Sequence, residues 1–152
     1  MAKPLYVLNG PNLNLLGARE PELYGRTTLA DIKKICIAAA KPFDLAVDFR
    51  QTQREGELVE WIHEAREKGS AIIINAAAYS HTSVAIYDAL KMADLPIIEV
   101  HLSNIFAREA FRHHSYVSAA ANGVICGLKA DGYRLAVEAA ASLAGQRGSK
   151  KK

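Results

Sequence analysis

Apolar and polar positions run along this chain in blocks whose period changes from one block to the next. Residues 5–8, Leu-Tyr-Val-Leu, form a short apolar run stopped by Asn9-Gly10-Pro11, the pattern of a buried strand ended by turn residues. Residues 9–27 show no period and hold Asn9, Gly10, Pro11, Asn12, Asn14, Gly17, Pro21 and Gly25. An aperiodic stretch of that length inside a compact domain is characteristic of a binding loop or lid, and residues 17–26 are its expected lid. From 28 to 41 the period becomes helical, with Leu29, Ile32, Cys36 and Ala39 on one face. Thr28 is placed to cap this helix, Asp31 suits its first turn, and Pro42 helps end it.

Residues 45–49 read as a second strand. Residues 55–68 read as a helix with Leu58, Ile62 and Ala65 on one stripe and Gly69 as C-cap. The continuous aliphatic run 71–74 marks a strand covered on both faces. A helix over about 83–92, a strand at 97–100, a polar stretch 102–118 with no assignable element, and a short strand at 123–126 follow. An alanine-rich helix over 130–144, ended by Gly145, closes the order. Five short apolar strands joined by helical crossovers imply a parallel sheet with helices on both faces. Right-handed crossovers make it a doubly wound, three-layered α/β sheet of flavodoxin-like type. The expected domain is 1–145, with 146–152 a basic, disordered tail.

A length of 152 residues fits one domain with a sizeable core. The formal charge of +3 comes from 19 basic and 16 acidic residues, but Arg147, Lys150, Lys151 and Lys152 lie at the chain end. Without them 15 basic residues face 16 acidic ones, so the body lacks the basic footprint of a nucleic-acid binder. The apolar runs fall far short of the ~20 residues of a membrane span. No signal-peptide core is visible at the amino end, and the expected compartment is the cytoplasm. Cys36 and Cys126 sit in apolar stretches with no C-x-x-C spacing, the expectation being two buried, reduced thiols.

In an open parallel sheet, ligands bind beyond the carboxyl ends of the strands. The residues expected there are Asn9 to Asn12 after the first strand, Gln51-Thr52-Gln53 after the second, Asn75 and Ser80 to Ser83 after the third, and Glu99, His101, Ser103 and Asn104 after the fourth. Such a set suits a small, hydroxyl-rich ligand; ordinary loop polarity is the competing reading. Neither G-x-G-x-x-G nor G-x-x-x-x-G-K-[ST] follows the first strand, and the five histidines show no metal-ligand spacing. Glu99 and His101, two apart at a strand end, face the same way and read as a general acid with its orienting carboxylate. Tyr24 lies between Arg19 and Arg26 in the aperiodic loop. It reads either as a packing residue of the lid or as a tyrosinate base, since neighbouring guanidinium charges favour the anion.

Taken together, Val7-Leu8-Asn9-Gly10-Pro11-Asn12-Leu13-Asn14-Leu15-Leu16-Gly17 with Arg19-Glu20-Pro21 and Tyr24-Gly25 resembles the opening of the type II 3-dehydroquinate dehydratases. So do Glu55-Gly56-Glu57-Leu58, Asn75 with Ala78-Tyr79-Ser80-His81-Thr82-Ser83, Glu99-Val100-His101-Leu102-Ser103-Asn104, and Ala107-Arg108-Glu109 with Phe111-Arg112-His113. The resemblance implies a cytoplasmic shikimate-pathway lyase that removes water from 3-dehydroquinate through an enolate, with no cofactor, metal or Schiff base. It implies Tyr24 as base, Arg19 and Arg108 as charge stabilisers, Asn12 as holder of a water at the enolate oxygen, and His101 as acid backed by Glu99. Leu102, Ser103, Asn75, His81 and Arg112 would bind substrate, and Asp88 would reach in from a neighbouring subunit. A homo-oligomer, a dodecamer of trimers, is implied as well, with no nucleic-acid or membrane partner. Two departures stand out: Ala76-Ala77 replaces a frequent Pro-Gly, and Gln53 a frequent Asn. The competing classes are a non-catalytic small-ligand or FMN-binding module and a structural assembly protein. The first would give a yellow protein or a bound nucleotide. The second leaves the conjunction of Tyr24, His81, Glu99 and His101 unexplained.

Overall fold

A computed structural model of the chain describes residues 2–18 and 20–150. Five parallel strands, β1 Leu5–Asn9, β2 Val47–Gln51, β3 Ala71–Asn75, β4 Ile97–His101 and β5 Gly123–Cys126, form one sheet in the order β2-β1-β3-β4-β5. This is the flavodoxin-like order expected from the alternation of elements. Helices α2 Leu29–Ala40 and α5 Asp131–Lys150 cover one face, and α3 Glu55–Lys68 and α4 Val84–Met92 the other.

Strand side chains alternate between faces. Leu5, Val7, Ala71, Ile73, Ile98 and Val100 therefore pack against Ile32, Cys36, Tyr133 and Val137 of α2 and α5. Tyr6, Leu8, Ile72, Ile74 and Ile97 pack against Leu58, Ile62, Ile86 and Leu90 of α3 and α4. Each of these aliphatic side chains contributes roughly 1.5–3 kcal/mol by leaving water. Helix α2 begins with a full capping box: Thr28 and Asp31 each accept the other's backbone N–H.

The register sets the polar end of the sheet. Asn9 lies opposite Gln51 on one side and Asn75 on the other. Past the strands the ladder continues for one more step, Gly10 N–H to the Asn75 carbonyl at 2.8 Å and Thr52 N–H to the Asn9 carbonyl at 3.0 Å. Strand ends that look polar in the sequence are thus true strand residues.

Several boundaries differ from the sequence reading. The second strand lies two residues later than expected, because Leu45 bonds back to the Ala40 carbonyl as part of the turn after α2. It is an edge strand in which Asp48 and Arg50 pair on one face. The aperiodic region holds two short turns of helix, Leu13–Leu15 and Pro21–Tyr24, the latter α1. The stretch 102–118 holds two more, Ile105–Ala107 and Ala110–Arg112. Cys36 is buried as expected, whereas Cys126 is half-exposed on the edge strand β5. Helix α5 passes Gly145 and reaches Lys150, so residues 146–150 are helical where a disordered tail was expected. A helical glycine costs only about 1 kcal/mol, and Arg147 ties the extension to Asp94 with an ion pair of 3.6 Å.

Gly10 is the tightest point. A Cβ there would stand 2.5 Å from the Ala76 carbonyl oxygen and 2.7 Å from its carbon. Both are backbone atoms that cannot swing aside. Gly10→Ala is expected to destabilise the fold by about 3 kcal/mol, the upper range for overpacking; equilibrium denaturant unfolding measures it.

Candidate active site

The carboxyl end of the sheet opens into a cavity of about 220 Å³. Asn12, Tyr24, Asn75, His81, His101, Leu102, Ser103, Arg108 and Arg112, all expected from the sequence, line it together with Pro11, Leu13, Ala77, Ala78 and Ile105. Glu99 stands behind His101. Arg19 lies outside the described residues. Asp88 is exposed on α4 and does not line the cavity of its own chain. A larger hollow of about 540 Å³ lies at the opposite, amino end of the sheet among Lys3, Arg66, Asp94 and Arg147. It has none of the strand-end polar groups, and its charges bond locally, Lys3 to the Glu67 carbonyl and Arg147 to Asp94.

Two rows of polar side chains, on opposite faces of the sheet, build the cavity floor. Asn9 and Asn75 share the α5 face. The Asn75 Nδ2 donates to the Tyr133 hydroxyl at 2.9 Å, and that hydroxyl donates to Asn9 Oδ1 at 2.7 Å. Asn9 Nδ2 then donates to the Arg50 carbonyl. Tyr133 is fully buried, and burial pushes its pKa far above the ordinary tyrosine value. It serves as a neutral link that orients Asn75. Nothing in the alanine-rich pattern of the last helix sets Tyr133 apart from a core residue.

Glu99 and His101 share the other face of β4. Glu99 is fully buried and bonded to His101 Nε2. Its Oε2 also accepts from Ser115 Oγ at 2.7 Å, and its Oε1 accepts from Ser118 Oγ. Burial pushes the Glu99 pKa up, but the His101 contact and the two hydroxyls outweigh it and hold the carboxyl below the ordinary range. With Nε2 on Glu99, Nδ1 is the ring nitrogen His101 keeps for the cavity. The His81 ring stacks on that of His101 with centroids 6.3 Å apart. His81 Nδ1 donates to the His114 carbonyl at 2.8 Å. Desolvation, with the charges of His101 and Arg112, lowers the His81 pKa, so it is neutral at pH 7 and presents Nε2 as an acceptor.

Loops complete the walls. Tyr24, in the turn α1, is 8% exposed and packs into the core beside Leu13 and Leu16. The Arg108 guanidinium lies over its ring at 5.4 Å, within cation–π range, and donates to the Ser103 hydroxyl. Arg112 is paired with Glu109. Asn12 adopts a left-handed conformation with φ 69°, which asparagine tolerates. Gln53 holds this loop: its Oε1 accepts the Asn12 N–H at 2.8 Å and its Nε2 donates to Asn14 Oδ1 at 2.8 Å. The longer amide at this position thus spans from the loop after β2 to the loop after β1.

The Asn75-Ala76-Ala77 departure has a defined consequence. Ala77 takes the positive φ of 52° that suits glycine, with its N–H bonded to Asn75 Oδ1 at 3.1 Å. The turn is kept at the cost of strain.

Fold and site together define a flavodoxin-like α/β protein with a polar cavity lined by a tyrosine and by a histidine backed by a buried carboxylate. A family model for dehydroquinase class II matches residues 3–141, and the chain belongs to that family. It is 60% identical over 144 residues to a 3-dehydroquinate dehydratase of Phenylobacterium zucineum, covering 95% of this chain and 99% of that one. Among solved structures, the type II dehydroquinase of Propionibacterium acnes superposes with a TM-score of 0.88 at 48% identity, over 93% of this chain and 98% of the other. That of Butyrivibrio crossotus gives 0.87 at 38% identity, over 91% and 97%.

Two outcomes test this geometry. Ala77→Gly is expected to stabilise the protein by about 1 kcal/mol, by relieving a positive φ that an L side chain adopts at a cost; thermal unfolding reads it out. Glu99 has a lowered pKa in the folded state, so its contribution is complete above the ordinary carboxylate range and is lost as pH falls through the folded value. Glu99→Gln is therefore expected to be less stable than wild type at pH 7, with the gap closing on acidification below about pH 4. Denaturant unfolding across pH measures it.

Proposed function

We propose that this chain dehydrates 3-dehydroquinate to 3-dehydroshikimate by an anti elimination through an enolate, with Tyr24 as base and His101 as acid. The observation that carries the reading is the shared cavity of Tyr24 and the Glu99-backed His101, in a chain of the dehydroquinase class II family. Tyr24, as phenolate, takes a proton from C2, beside the C3 carbonyl. The electron pair moves to the carbonyl oxygen, where a water held by Asn12 stabilises the enolate. The enolate then expels the C1 hydroxyl, which takes a proton from His101 and departs as water. The Arg108 guanidinium, over the Tyr24 ring, is placed to stabilise charge in the transition state, and Arg19 is assigned the same task by its place in the motif.

The substrate carboxylate is assigned to the backbone N–H groups of Leu102 and Ser103, a nest of the kind that binds anions, and to Arg112. Asn75, fixed through Tyr133, and neutral His81 suit ring hydroxyls. No metal, cofactor or Schiff base enters this route. Asp88, exposed on α4, fits a residue that serves the cavity of a neighbouring subunit in a homo-oligomer.

Tyr24→Phe is expected to lower turnover by roughly 10²–10⁴-fold, the ordinary worth of a positioned base, while circular dichroism and unfolding stay near wild type. Ultraviolet absorption of the enone product follows the reaction, and EDTA is expected to leave the wild-type rate unchanged. Normal turnover by the folded variant would remove Tyr24 from the role of base.

A further inference from the structure

The segment between the last turn of the Arg112 loop and β5 forms no helix or strand, yet it supplies two hydroxyls to the fully buried Glu99 carboxylate. We propose that Ser115 and Ser118 are positioning residues for the general acid: they clamp both oxygens of the Glu99 carboxylate and thereby hold the His101 ring in its working orientation. The inference rests on the reading of His101 given above and extends it to two residues that do not line the cavity.

The geometry is over-determined. Ser115 takes the same carboxylate oxygen as His101, and Ser118 takes the other. Among the described residues no further side chain bonds the carboxylate. Rotation of the carboxylate about its last side-chain bond would break several of these bonds at once. The Ser115 Oγ also accepts the Ser118 backbone N–H at 3.4 Å, which leaves its own hydrogen for Glu99. The backbone that carries the pair is anchored at both ends: Tyr116 N–H bonds the Ser80 carbonyl at 2.8 Å and Asn122 N–H the Ile97 carbonyl at 2.7 Å. Between them Val117 is fully buried in the core beneath α3 and α4.

Chemistry gives the clamp its sense. An ionised carboxylate only accepts, so both serines and the ring donate to it. A protonated carboxyl would have to donate in turn and would displace one of them. The two hydroxyls therefore select the ionised form, keep a hydrogen on His101 Nε2, and leave Nδ1 to deliver the proton. Among the described residues, the titratable groups facing His101 are His81, stacked on its ring, and Tyr24, Arg108 and Arg112, which line the same cavity; none of them substitutes for the serines as donors to Glu99.

The test compares wild type, Ser115→Ala/Ser118→Ala, Ser118→Ala and Ser118→Thr in steady-state turnover of 3-dehydroquinate across the pH range, beside thermal unfolding. The alanine variants are expected to lose kcat by roughly 10–100-fold, the scale of a misplaced reacting group, with KM little changed. Their kcat profile should fail at higher pH on its acid side, because a carboxyl with fewer donors takes its proton sooner. Ser118→Thr, which keeps the hydroxyl, should restore both. Folded alanine variants with wild-type kcat and an unmoved acid limb would overturn the clamp. So would a loss of kcat that leaves the acid limb in place and that threonine does not rescue. Should the double variant fail to fold, Ser118→Ala and Ser118→Thr carry the comparison. A wild type that does not turn over 3-dehydroquinate would overturn the dehydratase reading and this one together. A wild type that does, beside unaltered alanine variants, overturns the clamp alone.

Discussion

The parallel register of β1, β3 and β4 is the constraint from which the site follows. Asn9 is paired with Asn75, and Ile74 with Glu99, so the three central strands run out of apolar residues at nearly the same level. A slip of one residue would turn every side chain to the other face of the sheet. Asn9 and Asn75 would lose Tyr133, and Glu99 would face α5 in place of the two serines. The aliphatic faces that fix the register, Leu5 and Val7 against one layer and Tyr6 and Leu8 against the other, therefore also fix the chemistry. Folding and site assembly are one event here, with the polar groups placed by the apolar ones beneath them.

Two ways of holding a buried polar group coexist within a few ångströms of that edge. On the α5 face a neutral tyrosine joins two amides and carries no charge, which suits Tyr133 at zero exposure. On the α4 face a true charge is buried, and it takes three donors, two hydroxyls and a ring that can become a cation. The first arrangement is rigid and inert. The second sets a ring that can gain or lose a proton beside a carboxylate held in its ionised form.

Most of the architecture was legible in the sequence because it rests on local signals. The capping residue Thr28, the stripe Leu58-Ile62-Ala65 and the aliphatic run of β3 all act within a few residues of themselves. The site was legible where a polar residue closes an apolar strand, as with Asn75, Glu99 and His101. It was illegible where a partner comes from far along the chain. Ser115 and Ser118 look like any loop serines, and Tyr133 like any aromatic in a helix, since their roles exist only once residues 16 to 124 positions apart are brought together. One boundary differs beside a contact of the same long-range kind: α5 runs on past Gly145, and Arg147 in the extension pairs with Asp94.

That same helix bears on how the molecule can be handled. It starts near the cavity, where the Lys129 N–H meets the Leu102 carbonyl, and runs back across the sheet to the loop before β4. Its final turns stand at the amino edge, on the side of the sheet away from the cavity. A bead, sensor surface or fusion partner coupled there is held by a continuous rod and not by a slack tether. An immobilised array of such molecules would present its openings outward to the flowing solution.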